Sequence, residues 1–232
     1  MEPFLQARKS GRLIFDFSIM LSCVNEKSQN KKILDFGCGS CWISKWLCRC
    51  GYDVTSFDIN EDSSRYLGTR VACDSRINKE SIRFVCGDGH KMPFEDNAFS
   101  NICCFDSLHH MHDYNRVISE FYRILEDGGR IIFVEPGSMH SKSKETVEFV
   151  KKYKKDDPSW IERDVELKEI HDIALSVGFN GMTIKPFLFP EQVEYSFNDW
   201  FHFNDNIAGQ QNYIKNLVDF NNKCRVIFCL EK

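Results

Sequence analysis

No apolar run in the 232 residues approaches the ~20 needed to span a bilayer. No C-x3-C-x2-C triplet is present, which argues against iron–sulfur radical chemistry. A basic surplus is also missing. Thirty Lys and Arg stand against 34 Asp and Glu, a net charge of −4 with a pI near 6.0, so nothing draws the chain to nucleic acid in general. The leading stretch "MEPFLQARKSGRLIFDFSIML" is interrupted by Arg12 and Asp16 and shows no small-residue cleavage site, which speaks against a secretory signal and for a cytoplasmic protein. No repeat or low-complexity segment appears. The length suits one complete α/β domain with a sizeable core, and not two.

Cysteine, by contrast, is plentiful. The eleven cysteines mostly sit in apolar stretches such as "NICCF" and "CRVIFCL", where they act as small buried hydrophobes in a reducing compartment. Cys38, Cys41, Cys48 and Cys50 lack the spacing of a zinc ribbon, and no compact carboxylate–histidine motif is evident, so no metal is expected.

Short β-branched or aromatic runs alternate with longer helical ones, the pattern of a mostly parallel sheet with helices on both faces. Strands are expected at 32–36, 53–57, 82–86, 99–105, 130–135, 181–186 and 224–230, and helices at 41–50, 61–72, 114–126 and 165–178. Two stretches exceed ordinary connections: about 138–164, with the lysine-rich "SKSKETVEFVKKYKKDD", and about 187–223, with the aromatic "FLFPEQVEYSFNDWFHF". Both are read as substrate-side insertions into one domain, residues 1–232, whose first 30 residues form a helical cap and whose core runs over 31–137.

In "KKILDFGCGSCWISKW" a buried strand ends at Phe36, a glycine loop follows, and a helix begins. Such a junction seats anions and nucleotides because unpaired N–H groups point out of the turn. A G-x-G-x-x-G fingerprint would place glycine at 42, but Trp42 stands there, which argues against NAD. The strand in "YDVTSFDIN" ends at Asp58, 21 residues beyond Gly37, placed to accept from ribose hydroxyls. Asp88, ending "VCGD", is a third strand-end carboxylate suited to an adenine amino group.

Together these residues resemble class I S-adenosylmethionine-dependent methyltransferases, in the small-molecule branch that includes quinone-biosynthesis and sugar-tailoring enzymes. "ILDFGCGSCWIS" is similar to the family's "vLDlGCGtG" loop and "FDIN" to its acidic ribose strand. "GDGHKMPFEDNAFS" resembles "gDaenLPFpdnsFD", and "SLHHMHDYNRVISEFYRILEDGGRIIFVEP" resembles the segment through its fifth strand. The resemblance covers about Lys31–Gly137. It implies a Rossmann-like sheet of seven strands with an antiparallel last one, and S-adenosylmethionine held by Asp35, Gly37, Cys38, Gly39, Ser40, Asp58, Ile59, Asp88, Gly89, Phe105, Asp106 and Ser107. Three positions depart from the family: Cys41 replaces a glycine, Ser100 an acid, and "EDGG" lacks proline.

On the acceptor side the sharpest candidates are His109 and His110, since imidazole can take a proton from an acceptor hydroxyl near neutral pH. Structural hydrogen bonding is the competing role for both, and Glu135 and His140 are further candidates. The expected reaction is methyl transfer to a small-molecule hydroxyl on a sugar, glycolipid precursor or secondary metabolite. The aromatics Tyr195, Phe197, Trp200, Phe201 and Phe203 are read either as a lid or sugar-stacking platform or as packing of an added helix onto the sheet. A non-catalytic cofactor-binding partner is one alternative. Nucleic-acid methylation is another, disfavoured because strand four ends in "FDSLHH" and not in the Asn/Asp-Pro-Pro-aromatic motif.

Overall fold

A computed structural model describes residues 6–155 and 157–232; residues 1–5, part of the expected cap, lie outside the described residues. Helix α1 (Ala7–Ser22) leads to β1 (Lys32–Phe36), whose last four residues are all buried. A central parallel strand is covered on both faces, so it is apolar throughout and does not alternate. Then follow α2 (Trp42–Arg49), β2 (Asp53–Asp58), α3 (Ser63–Ala72), β3 (Ile82–Cys86) and the wholly buried β4 (Phe99–Phe105). After α4 (Tyr114–Ile124) and β5 (Leu125–Pro136) come α5 (Lys144–Tyr153), α6 (Leu167–Val177), β6 (Met182–Ile184), α7 (Phe197–Phe201), α8 (Ile207–Lys223) and β7 (Arg225–Glu231).

The seven strands order as β3-β2-β1-β4-β5-β7-β6, with β7 antiparallel to both neighbours. The chain runs outward from β1 through β2 and β3, then returns to place β4 on the other side of β1. That reversal opens a crevice beyond the C-terminal ends of β1 and β4. Because β7 runs the opposite way, its first residue, Arg225, lies opposite Pro136 at this same edge.

Two cores sandwich the sheet. On one face α1 and α2 bury Phe17, Met20 and Leu47 over Ile33, Cys103 and Ile132. On the other, α4 and α6 bury Val117, Phe121 and Ile170 over Leu34, Ile102 and Phe133.

The expected helix at 114–126 stops at Ile124, and the strand expected at 130 starts at Leu125. The glycine pair lies inside the strand's span, where the β4–β5 register shifts between Phe99 and Asn101 and Gly128 takes φ +75°. A bulge here absorbs residues that read as a turn. Seven cysteines are buried as expected, but Cys50, Cys73, Cys86 and Cys224 are exposed. Among the described residues no helix is long and apolar enough to cross a membrane.

Candidate active site

The glycine loop makes its turn with three left-handed residues: Gly37 (φ +65°), Gly39 (φ +46°) and Cys41 (φ +55°). Glycine is required at 37 for space as well as backbone, since a Cβ there would lie 2.1 Å from Ser107 Oγ. Ser107 Oγ lies 3.1 Å from the carbonyls of both Gly37 and Phe105, which share its one proton, and so ties the β1 and β4 ends together. Trp42 occupies the ground a third glycine would leave open, buried edge-on against Phe17 and Phe105.

Asp58 caps this loop from β2. One oxygen accepts from the Gly39 N–H at 2.8 Å and the other from the Asn60 N–H at 2.9 Å. Ser40 is held from α3, where Arg70 donates to its carbonyl and side chain. The backbone N–H of Cys38 donates to Phe57 O at 3.0 Å. Ile59 is exposed beside Asp58, and Asp88 is exposed with its carboxylate accepting from the N–H and ring of His90. Gly89 lies beneath the Phe36 ring, where a Cβ would meet it at 2.6 Å. Asp35 turns away from the loop. Its buried carboxylate accepts from Ser44 of α2, which in turn accepts from Ser56 at 2.7 Å, and burial pushes its pKa up to about 7. It braces β1 against α2.

The edge of β4, β5 and β7 is a charged network. Glu135, fully buried at the end of β5, accepts from the N–H groups of Ser107 (3.0 Å) and Leu108 (2.9 Å) and contacts His109 Nδ1 at 2.7 Å. The other ring nitrogen of His109 lies 3.3 Å from Glu162. Burial opposes charge on His109, but the two carboxylates outweigh it and raise the pKa to about 9. His109 is therefore an imidazolium clamped between two carboxylates, a counter-charge with no lone pair to offer. Glu162 also takes His140 Nε2 at 2.8 Å and Trp160 Nε1 at 2.9 Å. Burial works against its ionisation, yet these donors hold it well below the usual carboxylate range.

His110 differs. Its Nδ1 faces the Ile161 carbonyl at 3.1 Å and so carries the proton, leaving Nε2 as an acceptor. Burial, then the neighbouring His109 charge, lower its pKa, which keeps it neutral. One ligand atom each from His109, His110 and Glu162 lie within 4.8 Å of one another, close enough to share a cation. As drawn, all three are engaged in the proton network. No local pattern signals this cluster, because Glu162 sits 52 residues beyond His110.

Asp106, at φ +51°, pairs with Arg225, which also donates to Asp16 of α1 at 2.9 Å. Burial works against Asp106, but Arg225 holds its pKa down. Two cavities flank this ion triad and share Asp106 and Arg225. One, of about 450 Å³, is lined by His109, His110, His140, Thr146, Phe149 and Glu162. The other, of about 370 Å³, is walled by Lys9, Arg12 and Leu13 of α1 with Phe189 and Phe220. Gly37, Gly39, Asp58 and Asp88 line neither. Phe105 is a core residue under Arg225. Tyr195, Trp200 and Phe203 pack on one another and also line neither cavity; Phe197, Trp200 and Phe201 are exposed. The larger cavity is instead walled by the 138–164 stretch, through His140, Thr146, Phe149 and Glu162; the strap that carries Glu162 is tied down by the Arg163 N–H on His109 O at 2.9 Å and its guanidinium over Tyr114.

Residues 34–133 match a family described as "Methyltransferase domain". The chain is 29% identical over 161 residues to malonyl-[acyl-carrier protein] O-methyltransferase of Buchnera aphidicola, covering 68% of this chain and 58% of that one. It is 29% identical over 183 residues to demethylmenaquinone methyltransferase of Staphylococcus haemolyticus, covering 67% and 71%. The fold superposes with TM-score 0.61 on Haemonchus contortus phosphoethanolamine N-methyltransferase 2 in complex with S-adenosyl-L-methionine, at 16% identity, over 98% of this chain and 58% of that one. Residues 34–133 are thus a methyltransferase domain, and the fold around them is the one this neighbour shares. The domain's cofactor is S-adenosylmethionine. The curated relatives matched first are longer, and the chain spans 38%, 58% and 31% of their length. Arg225, Asp16, Glu162 and Trp160 are site residues that sequence reading missed. Only Arg225 had a signal, since the first residue of an antiparallel last strand must land at the site edge.

Proposed function

We propose that this protein transfers the sulfonium methyl of S-adenosylmethionine to a hydroxyl of a small-molecule acceptor, with His110 as general base. The reading treats residues 1–232 as one methyltransferase domain with a helical cap over 1–30, a core over 31–137 and insertions at 138–164 and 187–223. Gly37, Cys38, Gly39 and Ser40 cradle the methionine portion, and Asp58 accepts from the ribose. Ile59, Asp88 and Gly89 face the adenine, while Asp106 and Ser107 flank the methyl; Asp35 and Phe105 support these groups from beneath.

The observation carrying the acceptor assignment is His110 on the wall of the 450 Å³ cavity, neutral and with Nε2 as acceptor, at the crevice edge where ligands of open α/β sheets sit. Oxygen nucleophiles need a proton removed, and a neutral imidazole supplies that. Positioning the oxygen in line with the methyl contributes most of the acceleration, and the base adds about 10²–10⁴-fold. His109, with both nitrogens held by carboxylates, acts as a fixed cation that keeps His110 neutral. A sugar-stacking role for the 195–203 aromatics has no support from their position. The acceptor is framed by Thr146, Phe149 and His140, polar on one side and apolar on the other.

A test is release of S-adenosylhomocysteine across a panel of hydroxyl acceptors, with the product atom assigned by NMR. A methyl found on nitrogen or carbon would remove the hydroxyl assignment, and a rate indifferent to His110→Ala would remove the base.

A further inference from the structure

The position where the family's loop carries glycine holds Cys41 here, and its side chain is not idle. Cys41 Sγ lies 3.5 Å from Cys38 Sγ, both sulfurs buried inside the cofactor loop. The turn between them is closed by the Cys41 N–H on Cys38 O at 2.7 Å, which sets both side chains on one side. Cys41 is the N-cap of α2, where the helix dipole favours a thiolate. Only Gly39 and Ser40 separate the two. Gly39 is the residue whose N–H holds Asp58, and Ser40 the one held by Arg70.

We propose that Cys38 and Cys41 form a reversible disulfide that closes the cofactor seat under oxidising conditions, a redox site built into the glycine loop. The oxidant is a peroxide. Cys41, whose thiolate the helix N-terminus favours, attacks the O–O bond, giving a sulfenic acid and one water from hydrogen peroxide. The Cys38 sulfur then attacks the Cys41 sulfur. The S–S bond forms, the S–O bond breaks, and a second water leaves with the Cys38 proton. A dithiol reductant returns both thiols.

Forming the bond draws the two sulfurs from 3.5 Å to about 2.05 Å. The strain falls on Gly39–Ser40 and so on the Asp58 and Arg70 contacts that shape the seat. By linkage, bound cofactor opposes the bond as much as the bond opposes cofactor.

This rests on the loop being the S-adenosylmethionine seat, and the experiment separates the two ideas. The full chain is treated with hydrogen peroxide with and without S-adenosylhomocysteine, and disulfides are mapped by peptide mass spectrometry. Affinity for S-adenosylhomocysteine is measured by calorimetry before oxidation, after it, and after dithiothreitol. The expected result is a Cys38–Cys41 bond, slowed at least fivefold by S-adenosylhomocysteine, with affinity at least tenfold weaker and restored by reductant. Cys41→Gly should give no such bond and keep its affinity after peroxide. No Cys38–Cys41 peptide, or a bond that leaves affinity unchanged, overturns the proposal. Reduced protein that fails to bind S-adenosylhomocysteine overturns the seat itself, while the peptide map still decides whether the disulfide forms.

Discussion

Along the β1–β2–β3 half of the sheet edge, the groups proposed to contact the cofactor come from the end of a strand or the turn just after it: Gly37–Ser40, Asp58–Ile59 and Asp88–Gly89. Along the β4–β5–β7 half, two clusters lie side by side, Asp16–Arg225–Asp106 and Glu135–His109–Glu162, with partners as much as 209 residues apart. The first half is local and modular, and the second is assembled by topology. Substitutions in the first should therefore act through one contact each, while those in the second should spread.

The largest contrast is expected at His110. His110→Ala should lower kcat by about 10²–10⁴-fold while S-adenosylhomocysteine affinity stays within twofold. Equal losses in both would place His110 in the cofactor half. In wild type the acidic limb of the kcat profile should lie below the ordinary histidine value, since burial and the His109 charge lower the His110 pKa. Gly37→Ala meets both Ser107 and a left-handed backbone, so chemical denaturation should show a loss of about 3 kcal/mol or more. Asp58→Ala should weaken S-adenosylhomocysteine by about 1–3 kcal/mol, roughly 5–150-fold, with little change in stability; unchanged affinity would show that the ribose lies elsewhere.

Asp35 gives a pH signature. Its carboxyl in the folded chain titrates near 7 because burial disfavours its charge, against about 3.9 when unfolded. The folded state thus holds the proton more tightly, and stability falls as pH rises from about 4 to 7. Asp35→Asn, which keeps an acceptor for Ser44, should flatten that part of the melting-temperature curve relative to wild type. The smallest effect is expected from Trp200→Ala, within about 0.5 kcal/mol in stability and in acceptor KM, because its ring faces solvent. Chelator treatment should leave turnover unchanged; a loss restored by zinc would assign the His109–His110–Glu162 cluster to a cation.

The contrast also explains what could be read in advance. Strand ends, glycine loop and strand-end acids are spaced by local periodicity, so every strand but β5 falls within two residues of its expected bounds at both ends. The early start of β5 was hidden because Gly128–Gly129 has the composition of a turn whether it links two elements or bulges within one. Glu162 was invisible for a different reason. It belongs to an irregular strap whose place is fixed by Arg163 over Tyr114, a tertiary contact with no periodic signal. His109 could be found but not understood, since its second carboxylate arrives from that strap.

The Asp16–Arg225–Asp106 triad carries a consequence for assembly in time. During synthesis, α1 leaves the ribosome long before β7, yet Arg225 joins the two. Closing so long a loop is entropically slow, and such contacts form late. The sheet from β3 to β5 can pair beforehand, so the wall shared by the two cavities is finished only after β7 has emerged. A nascent chain would then acquire its cofactor shelf well before it could enclose an acceptor, and the order of folding itself would delay chemistry until the last strand is in place.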